Sequence, residues 1–297
     1  MLHRKLLNLL KSESDNEYLP SWLTVQYVKP MYTIRMNHLC FNILIYTEKV
    51  NINSLKKKII TLLNKIYTDF KIEHFKNINI VLILSSYKKK IQKGEICDVD
   101  NINSGVCIHD QDPKAIHIVI YRLEDLMKVV IHELIHYIGL DITDNMKCTE
   151  INKLIKTSFK SLKNTDIFYN EALVEAVALI KYCQFTGRKL VNEKKYSIHQ
   201  VKVFLHINQC STVEQFRLKK YYTEKSHHFS YVFLKSMLIH NEKFESLVLN
   251  HNTFSSIDEK TLSSIVSSTL KDESWIKKVN NYKLMNKKTY SLRLTEP

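Results

Sequence analysis

The stretch Val130-Ile-His-Glu-Leu-Ile-His-Tyr-Ile-Gly139 decides how the rest of the chain is interpreted. It has the spacing His-Glu-x-x-His within an apolar run, and it predicts a helix that ends at Gly139. The step of four residues places His132 and His136 on one face, one turn apart, where both imidazoles can bind a single metal ion. Glu133 lies beside that face and can reach a water molecule in an open position of the metal. The stretch therefore predicts a metal-binding helix with a carboxylate next to the metal.

The residues before this helix alternate between predicted strands and a predicted helix, whereas those after it predict helices almost alone. The predicted strands are 39–46, 78–84, 105–109 and 115–121, the predicted helices of the first half are 55–70 and 123–138, and those of the second half are 149–160, 168–183, 197–207, 213–222, 227–240 and 256–271. Only four Gly and four Pro occur in 297 residues, which agrees with long regular elements. The pattern predicts an N-terminal extension at 1–35, an α/β lobe at 36–145 that contains the motif helix, and a helical lobe at 146–297.

The chain is strongly basic, with 44 Lys and Arg against 30 Asp and Glu and a formal net charge of +14. Lys, Asn and Ile are abundant throughout, which is typical of the AT-rich genome of a virus, a parasite or a low-GC bacterium. No nucleic-acid-binding motif accompanies the charge, so nucleic acid is not expected to be the primary partner. The basic surface favours acidic substrates or a polyanionic assembly.

The six cysteines and the N-terminal residues bear on the cellular compartment. The cysteines are sparse and form no Cys-x-x-Cys pair, which fits reduced thiols in the cytosol and leaves a disulfide between Cys97 and Cys107 open. The first twelve residues have an interrupted apolar run and no small-residue cleavage site, unlike a secretory signal. No apolar run reaches the length of a membrane span. The expected location is cytoplasmic or otherwise intracellular.

The motif helix resembles that of the zincin metallopeptidases, and the predicted order of strand, helix, three strands and active-site helix is also that of a zincin upper lobe. The resemblance covers roughly 39–240, and only its motifs are specific. It implies an α+β, zincin-like fold, with an N-terminal mixed β-sheet lobe followed by a mainly helical lobe and an active-site cleft between them. It also implies that 105–109 forms the edge strand that pairs with an extended peptide substrate.

Catalytic zinc usually takes three protein ligands and a water molecule, so a third ligand is needed besides the two histidines. In the gluzincin group this ligand is the Glu of an Asn-Glu pair on a later helix, and Asn170-Glu171 resembles that pair. Glu175, one turn later, resembles the acid that orients a zinc-binding His in thermolysin-like enzymes. The alternative for Glu171 and Glu175 is a solvated acidic stripe on an amphipathic helix.

A different third ligand is conceivable, because the motif continues to Gly139 as it does in the metzincin group. The metzincin ligand position then falls on Ile142, which cannot bind a metal. Asp141 and Asp144 flank that position without matching it, and ligation by one of them is left open. Gly139 is explained as the residue that ends the helix.

Gluzincins also carry a Tyr or His that stabilises the oxyanion formed at the scissile carbonyl. The segment Ser226-His-His-Phe-Ser-Tyr231 contains candidates, of which Tyr231 is favoured and His228 comes next. These two residues are three apart and can share a helix face. The segment does not reproduce the longer thermolysin motif, and a Tyr on an amphipathic helix also serves as packing.

The sequence thus predicts a zinc-dependent peptidase that binds one Zn²⁺ through His132, His136 and Glu171. Glu133 is expected to act as the general base, Glu175 to orient a ligand, and Tyr231 or His228 to stabilise the oxyanion. The expected partner is a peptide or protein substrate. Two alternatives belong to other classes: a catalytically silent zincin-fold binding protein, and a basic nucleic-acid-associated protein with a structural metal.

Overall fold

The computed structural model describes residues 19–20, 23, 32–34, 40–46, 51–70, 77–109, 112, 115–140, 149–163, 165–250, 259–285 and 287–296. Most of the predicted N-terminal extension lies outside these ranges. The chain divides into two compact units, one made of 1–88 and 103–138 and the other of 89–102 and 139–297. None of the described helices combines the length and the apolar character that crossing a bilayer requires.

The strands are β1 (Tyr32–Ile34), β2 (Cys40–Tyr46), β3 (Asn77–Ser85), β4 (Lys90–Gln92), β5 (Gly105–Cys107), β6 (Ile118–Arg122) and β7 (Thr289–Ser291). The helices are α1 (Ile52–Phe70), α2 (Val99–Ile102), α3 (Leu126–Tyr137), α4 (Thr149–Ser158), α5 (Tyr169–Thr186), α6 (Leu190–Ile207), α7 (Val213–Leu218), α8 (Lys235–His240), α9 (Glu242–Asn250), α10 (Glu259–Leu270) and α11 (Glu273–Asn281). A 3₁₀ turn occupies Lys160–Leu162, and a π-helical segment, Phe229–Leu234, runs directly into α8. The fold is therefore α+β, with an N-terminal mixed sheet and a mainly helical C-terminal region, as predicted.

The first unit contains a five-stranded mixed sheet in the order β1-β2-β3-β6-β5. Strands β2, β3 and β6 are parallel, and β1 and β5 run antiparallel to their neighbours. Strand β3 is buried along most of its length, as a central strand requires. Among the described strands β5 pairs with β6 alone, so β5 lies at an edge of the sheet. The predicted edge position of 105–109 is thereby confirmed for Gly105–Cys107.

Helix α3 packs against β5 and β6 of this sheet. Its apolar side chains, among them Ile131, Leu134 and Ile135, are buried, and this burial holds the helix in a fixed rotation. The ring of Tyr137 stacks on His117, with ring centroids 4.7 Å apart, at the C-terminal end of the helix. The following Gly139 has a φ of 66°, in the left-handed region that glycine adopts at no steric cost. Gly139 therefore ends the helix, as predicted.

The second unit combines the helices α2 and α4–α11 with the small sheet formed by β4 and β7. Its core contains an aromatic cluster in which the rings of Phe159, Phe204, Phe216, Phe229 and Phe233 contact one another. Because β4 pairs with the C-terminal strand β7, the segment 89–102 belongs to this unit. The sequence predicts this segment in the N-terminal lobe at 36–145, so the observed division of the chain differs from the predicted one. Predicted helix 213–222 is shorter here, and predicted helix 227–240 is π-helical over Phe229–Leu234 and α-helical over Lys235–His240.

Four cysteines have described side chains, namely Cys97, Cys107, Cys183 and Cys210, and no disulfide joins any two of them. The disulfide between Cys97 and Cys107 that the sequence left open is therefore not formed. Burial raises the pKa of the Cys183 thiol to about 12 and also raises the pKa of Cys97 and Cys210. These thiols consequently stay protonated at neutral pH and are poor nucleophiles.

Candidate metal centre

The two histidines of α3 lie side by side, as the step of four residues requires. The Nε2 atoms of His132 and His136 are 3.2 Å apart. His132 is buried, with 6% of its surface exposed, and His136 is half-buried. In a tetrahedral zinc site with Zn–N distances of about 2.0–2.1 Å, two ligand nitrogens are separated by roughly 3.3–3.4 Å. The pair therefore has the spacing that one shared ion needs.

Glu171, in the first turn of α5, completes a group of three possible ligands. One ligand atom from each of His132, His136 and Glu171 lies within 4.8 Å of the others. Within the described ranges this is the one group of three or more His, Cys, Asp or Glu side chains that can hold a metal ion. Two imidazoles and a carboxylate match the donor set of catalytic zinc sites. The residues thus fit a metal ion, and the predicted triad comes together.

Glu133 is buried on the same helix, with only 6% of its surface exposed. Its side chain lies against the backbone of β5 at Gly105, where no Cβ intervenes. A carboxylate in such a position loses most of its hydration, so its location is fixed by its neighbours and not by solvent. The predicted base is therefore held next to the histidines, at the edge strand of the sheet.

Glu175 follows Glu171 by one turn on α5 and is almost fully buried, with 1% of its surface exposed. Glu171 itself is half-buried. A solvated acidic stripe would leave both carboxylates in water, and this alternative is thereby excluded. Burying a carboxylate is costly unless it is compensated, so α5 carries these acids for a reason other than solubility. That Glu175 orients a metal-binding His stays a prediction.

The hydroxyl of Tyr231 donates a hydrogen bond to Oε2 of Glu171, over 3.0 Å. Tyr231 lies in the π-helical segment Phe229–Leu234, a wider turn of the kind that often occurs at functional sites. The start of this segment is held by Glu224, whose Oε2 accepts hydrogen bonds from the Phe229 amide at 2.8 Å and the Tyr222 hydroxyl at 2.5 Å. Burial raises the pKa of the Glu224 carboxyl to about 7. The segment thus places a phenol at the candidate third ligand.

His228, the other predicted donor, lies in the aromatic core of the second unit. Its ring packs edge-on against Phe204, with centroids 5.0 Å apart, and 1% of its surface is exposed. It also lines a pocket of about 250 Å³ together with Cys97 and Tyr222. Burial lowers the pKa of its imidazole to about 3, so the ring is neutral at physiological pH. The structure thus brings Tyr231, and not His228, to Glu171.

Comparison with protein-family models, with curated proteins and with solved structures finds no match to this chain.

Sequence reasoning missed one residue next to the predicted base, Gly105. Its only sequence signal is a glycine in a predicted strand, at the first residue of 105–109, and glycine in a strand often marks a close backbone approach. The alternative third ligands Asp141 and Asp144 lie outside the described residues.

Proposed function

We propose that this protein is a zinc-dependent peptidase of the gluzincin type, in which His132, His136 and Glu171 bind one zinc ion. The observation that carries the proposal is the group formed by these three side chains. A buried Glu133 lies on the helix that carries the two histidines. A site that only binds a structural metal has no need of a further buried carboxylate. The zincin-like architecture and its cleft belong to this proposal, and the order of the elements from β2 to α3 supports them.

A zinc ion in this group would supply a Lewis acid that lowers the pKa of a water molecule and polarises a carbonyl oxygen. Glu133 takes the proton of the attacking water as the general base and passes it to the amine that leaves. Its contact with the β5 backbone keeps it in one orientation, so little reorganisation is needed at the moment of reaction.

Tyr231 has a second role in this proposal, because its hydroxyl is a hydrogen-bond donor beside Glu171. The same hydroxyl can turn to the oxygen of the scissile carbonyl, where negative charge develops during attack. In the free protein the bond to Glu171 holds the phenol in place. Glu175 orients a metal-binding histidine, as expected of a buried acid behind a metal ligand.

The proposed substrate is a peptide or protein in extended form. Strand β5 lies at the edge of the sheet, and a peptide can add to such an edge through main-chain hydrogen bonds. The net charge of +14 favours acidic sequences around the cleaved bond, since opposite charge raises the local concentration of a substrate.

Cleavage of a quenched fluorescent peptide library by the zinc-loaded protein tests the proposal. We expect activity in the wild type and a loss of about 10²–10⁴-fold in Glu133→Gln, which keeps the size of the side chain but removes the base. Both proteins are expected to bind one zinc ion, because Glu133 is not a ligand. The matched control is Glu150→Gln, an exposed carboxylate in the first turn of α4, and it should behave as the wild type.

Two results would contradict the proposal in different ways. If the wild type binds zinc and cleaves no member of the library, the catalytically silent binding protein becomes the better account. If the wild type binds no zinc and instead binds nucleic acid with a steep salt dependence, the basic nucleic-acid-associated protein becomes the better account.

A further inference from the structure

The chain contains only four glycines, and three of them have a conformational explanation. Gly94, Gly139 and Gly187 have φ values of 85°, 66° and 72°, in the region that disfavours other residues. A Cβ added to any of these three would meet nothing within 4 Å. Gly105 is the opposite case, because its backbone does not have a positive φ. The explanation for Gly105 must lie in its surroundings.

A Cβ at Gly105 would lie 2.8 Å from Oε1 and 3.1 Å from Cγ of Glu133. It would also lie 3.0 Å from Cγ1 of Val129, one turn earlier on α3. Real Cβ atoms essentially never approach another heavy atom within 3.0 Å. The space that a side chain at this position would need is therefore occupied by the carboxylate of Glu133.

The backbone on either side of this contact has little freedom to move. Gly105 is in register with Ile120 of β6, and the carbonyl of the preceding Ser104 accepts a hydrogen bond from the Tyr121 amide at 2.9 Å. Helix α3 is fixed by its buried apolar side chains. The end of the Glu133 side chain is the softest part of the contact, so an added methyl group would displace the carboxylate first.

We infer that Gly105 is a positioning residue, whose missing side chain lets the carboxylate of Glu133 seat against the backbone of the edge strand β5. This inference rests on the proposed function, in which Glu133 is the general base. A general base must be held within about 0.5 Å of its productive position, and a displacement of roughly 1 Å can lower the rate 10²-fold. The absence of a side chain at Gly105 thus serves the position of the Glu133 carboxylate, and not the backbone conformation of β5.

The first test is the kinetics of Gly105→Ala in the zinc-loaded 297-residue chain. We expect kcat to fall about 10–10²-fold, with KM and zinc affinity unchanged, because the proposed ligands are untouched and alanine keeps the main-chain groups of β5 that would pair with a peptide. A side chain that only disturbed substrate binding would raise KM and leave kcat unchanged, and that result would overturn the inference.

The second test uses stability and requires neither zinc nor substrate. Gly105→Ala is introduced into the wild type, into Glu133→Gln and into Glu133→Ala, and the Tm of each pair is compared. We expect the substitution to lower Tm by about 2–4 °C in the first two backgrounds, since Gln has the same size as Glu. In Glu133→Ala the shift should be clearly smaller, because the clashing atoms are gone and only Val129 remains.

Equal shifts in all three backgrounds would overturn the inference, because Gly105 would then not be coupled to Glu133. A wild type without peptidase activity would instead contradict the proposed function. The stability comparison would still report on the contact in that case, so the two failures can be told apart.

Discussion

The sequence assigns to one site polar residues from two regions, helix α3 and the π-helical segment Phe229–Leu234 with His228 directly before it. The structure brings all the predicted ligands of the first region together but only one of the two predicted donors of the second. In α3, both histidines of the motif join the group of possible ligands. Of the two candidate donors near the other segment, Tyr231 contacts Glu171 and His228 packs against Phe204. A step of four residues in an α-helix places two side chains on one face, whereas residues three apart diverge where the turn widens into a π-helix.

The comparison predicts that replacing a histidine of α3 removes the metal, whereas changes in the other segment leave it bound. His136→Ala should give the largest effect, with loss of zinc binding and of all peptidase activity, because one of the three ligands is deleted. His136 is half-buried, so the variant is expected to fold. Zinc content by atomic absorption, together with a circular dichroism spectrum, checks this. Full zinc occupancy in His136→Ala would refute the assignment of the ligands.

Glu171→Gln tests the residue of α5 that is grouped with the two histidines of α3 and accepts the hydrogen bond of Tyr231. Loss of a residue that only orients a metal ligand costs about 10–100-fold in metal affinity, so loss of a direct ligand should cost more than about 100-fold. Glu175→Gln is the matched control on the same helix, and its metal affinity should fall by no more than about 100-fold. Competition with a chelator of known affinity measures both constants. Equal affinities of Glu171→Gln and the wild type would turn attention to Asp141 and Asp144.

Tyr231→Phe separates catalysis from metal binding within the second region. Removal of one oxyanion donor should lower kcat about 10²–10³-fold, with zinc content unchanged. His228→Leu is the control, because His228 is buried away from Glu171 in the aromatic core, and it should keep kcat close to that of the wild type. Steady-state kinetics on a single peptide distinguishes the two. A large loss of kcat in His228→Leu together with an active Tyr231→Phe would reverse the assignment.

The smallest effect concerns stability and separates the role of His228 from that of Tyr231. The pKa of His228 is lowered from 6.5 to about 3 in the folded protein, so the unfolded state binds its proton first. His228 therefore contributes stability above pH 6.5 that is lost as the pH falls towards 3. Between pH 7 and pH 5 the wild type should lose about 2 kcal/mol more free energy of unfolding than His228→Leu. Urea denaturation at the two pH values measures the difference, and parallel losses would place His228 in water.

Much of the fold was predictable because strong periodicity marks long buried elements. Helices α1, α3 and α5 and strands β2 and β3 were predicted within a few residues of their observed bounds. The short strands β4 and β7 were missed, since three residues carry no pattern and each strand exists only through its pairing with the other. That pairing also draws 89–102 into the second unit, which no local signal in the sequence indicates.

The site was predictable to the extent that chemistry fixes spacing along one helix. His132, Glu133 and His136 follow from the motif, whereas Glu171 as a possible third ligand was found through the resemblance of Asn170-Glu171 to a gluzincin pair. The choice between Tyr231 and His228 depends on which side chain reaches Glu171, and the sequence does not determine this. The contact of Gly105 with Glu133 joins residues far apart in the chain, so only the structure reveals it.

Zinc K-edge X-ray absorption of the protein loaded with one equivalent of zinc tests the central claim most directly. We predict one tightly bound zinc ion per chain, with two imidazole nitrogens and oxygen ligands at about 2.0–2.2 Å and no sulfur. Absence of this bound zinc from His136→Ala would assign the signal to α3. Zinc bound through sulfur at about 2.3 Å, or no bound zinc, would contradict the account.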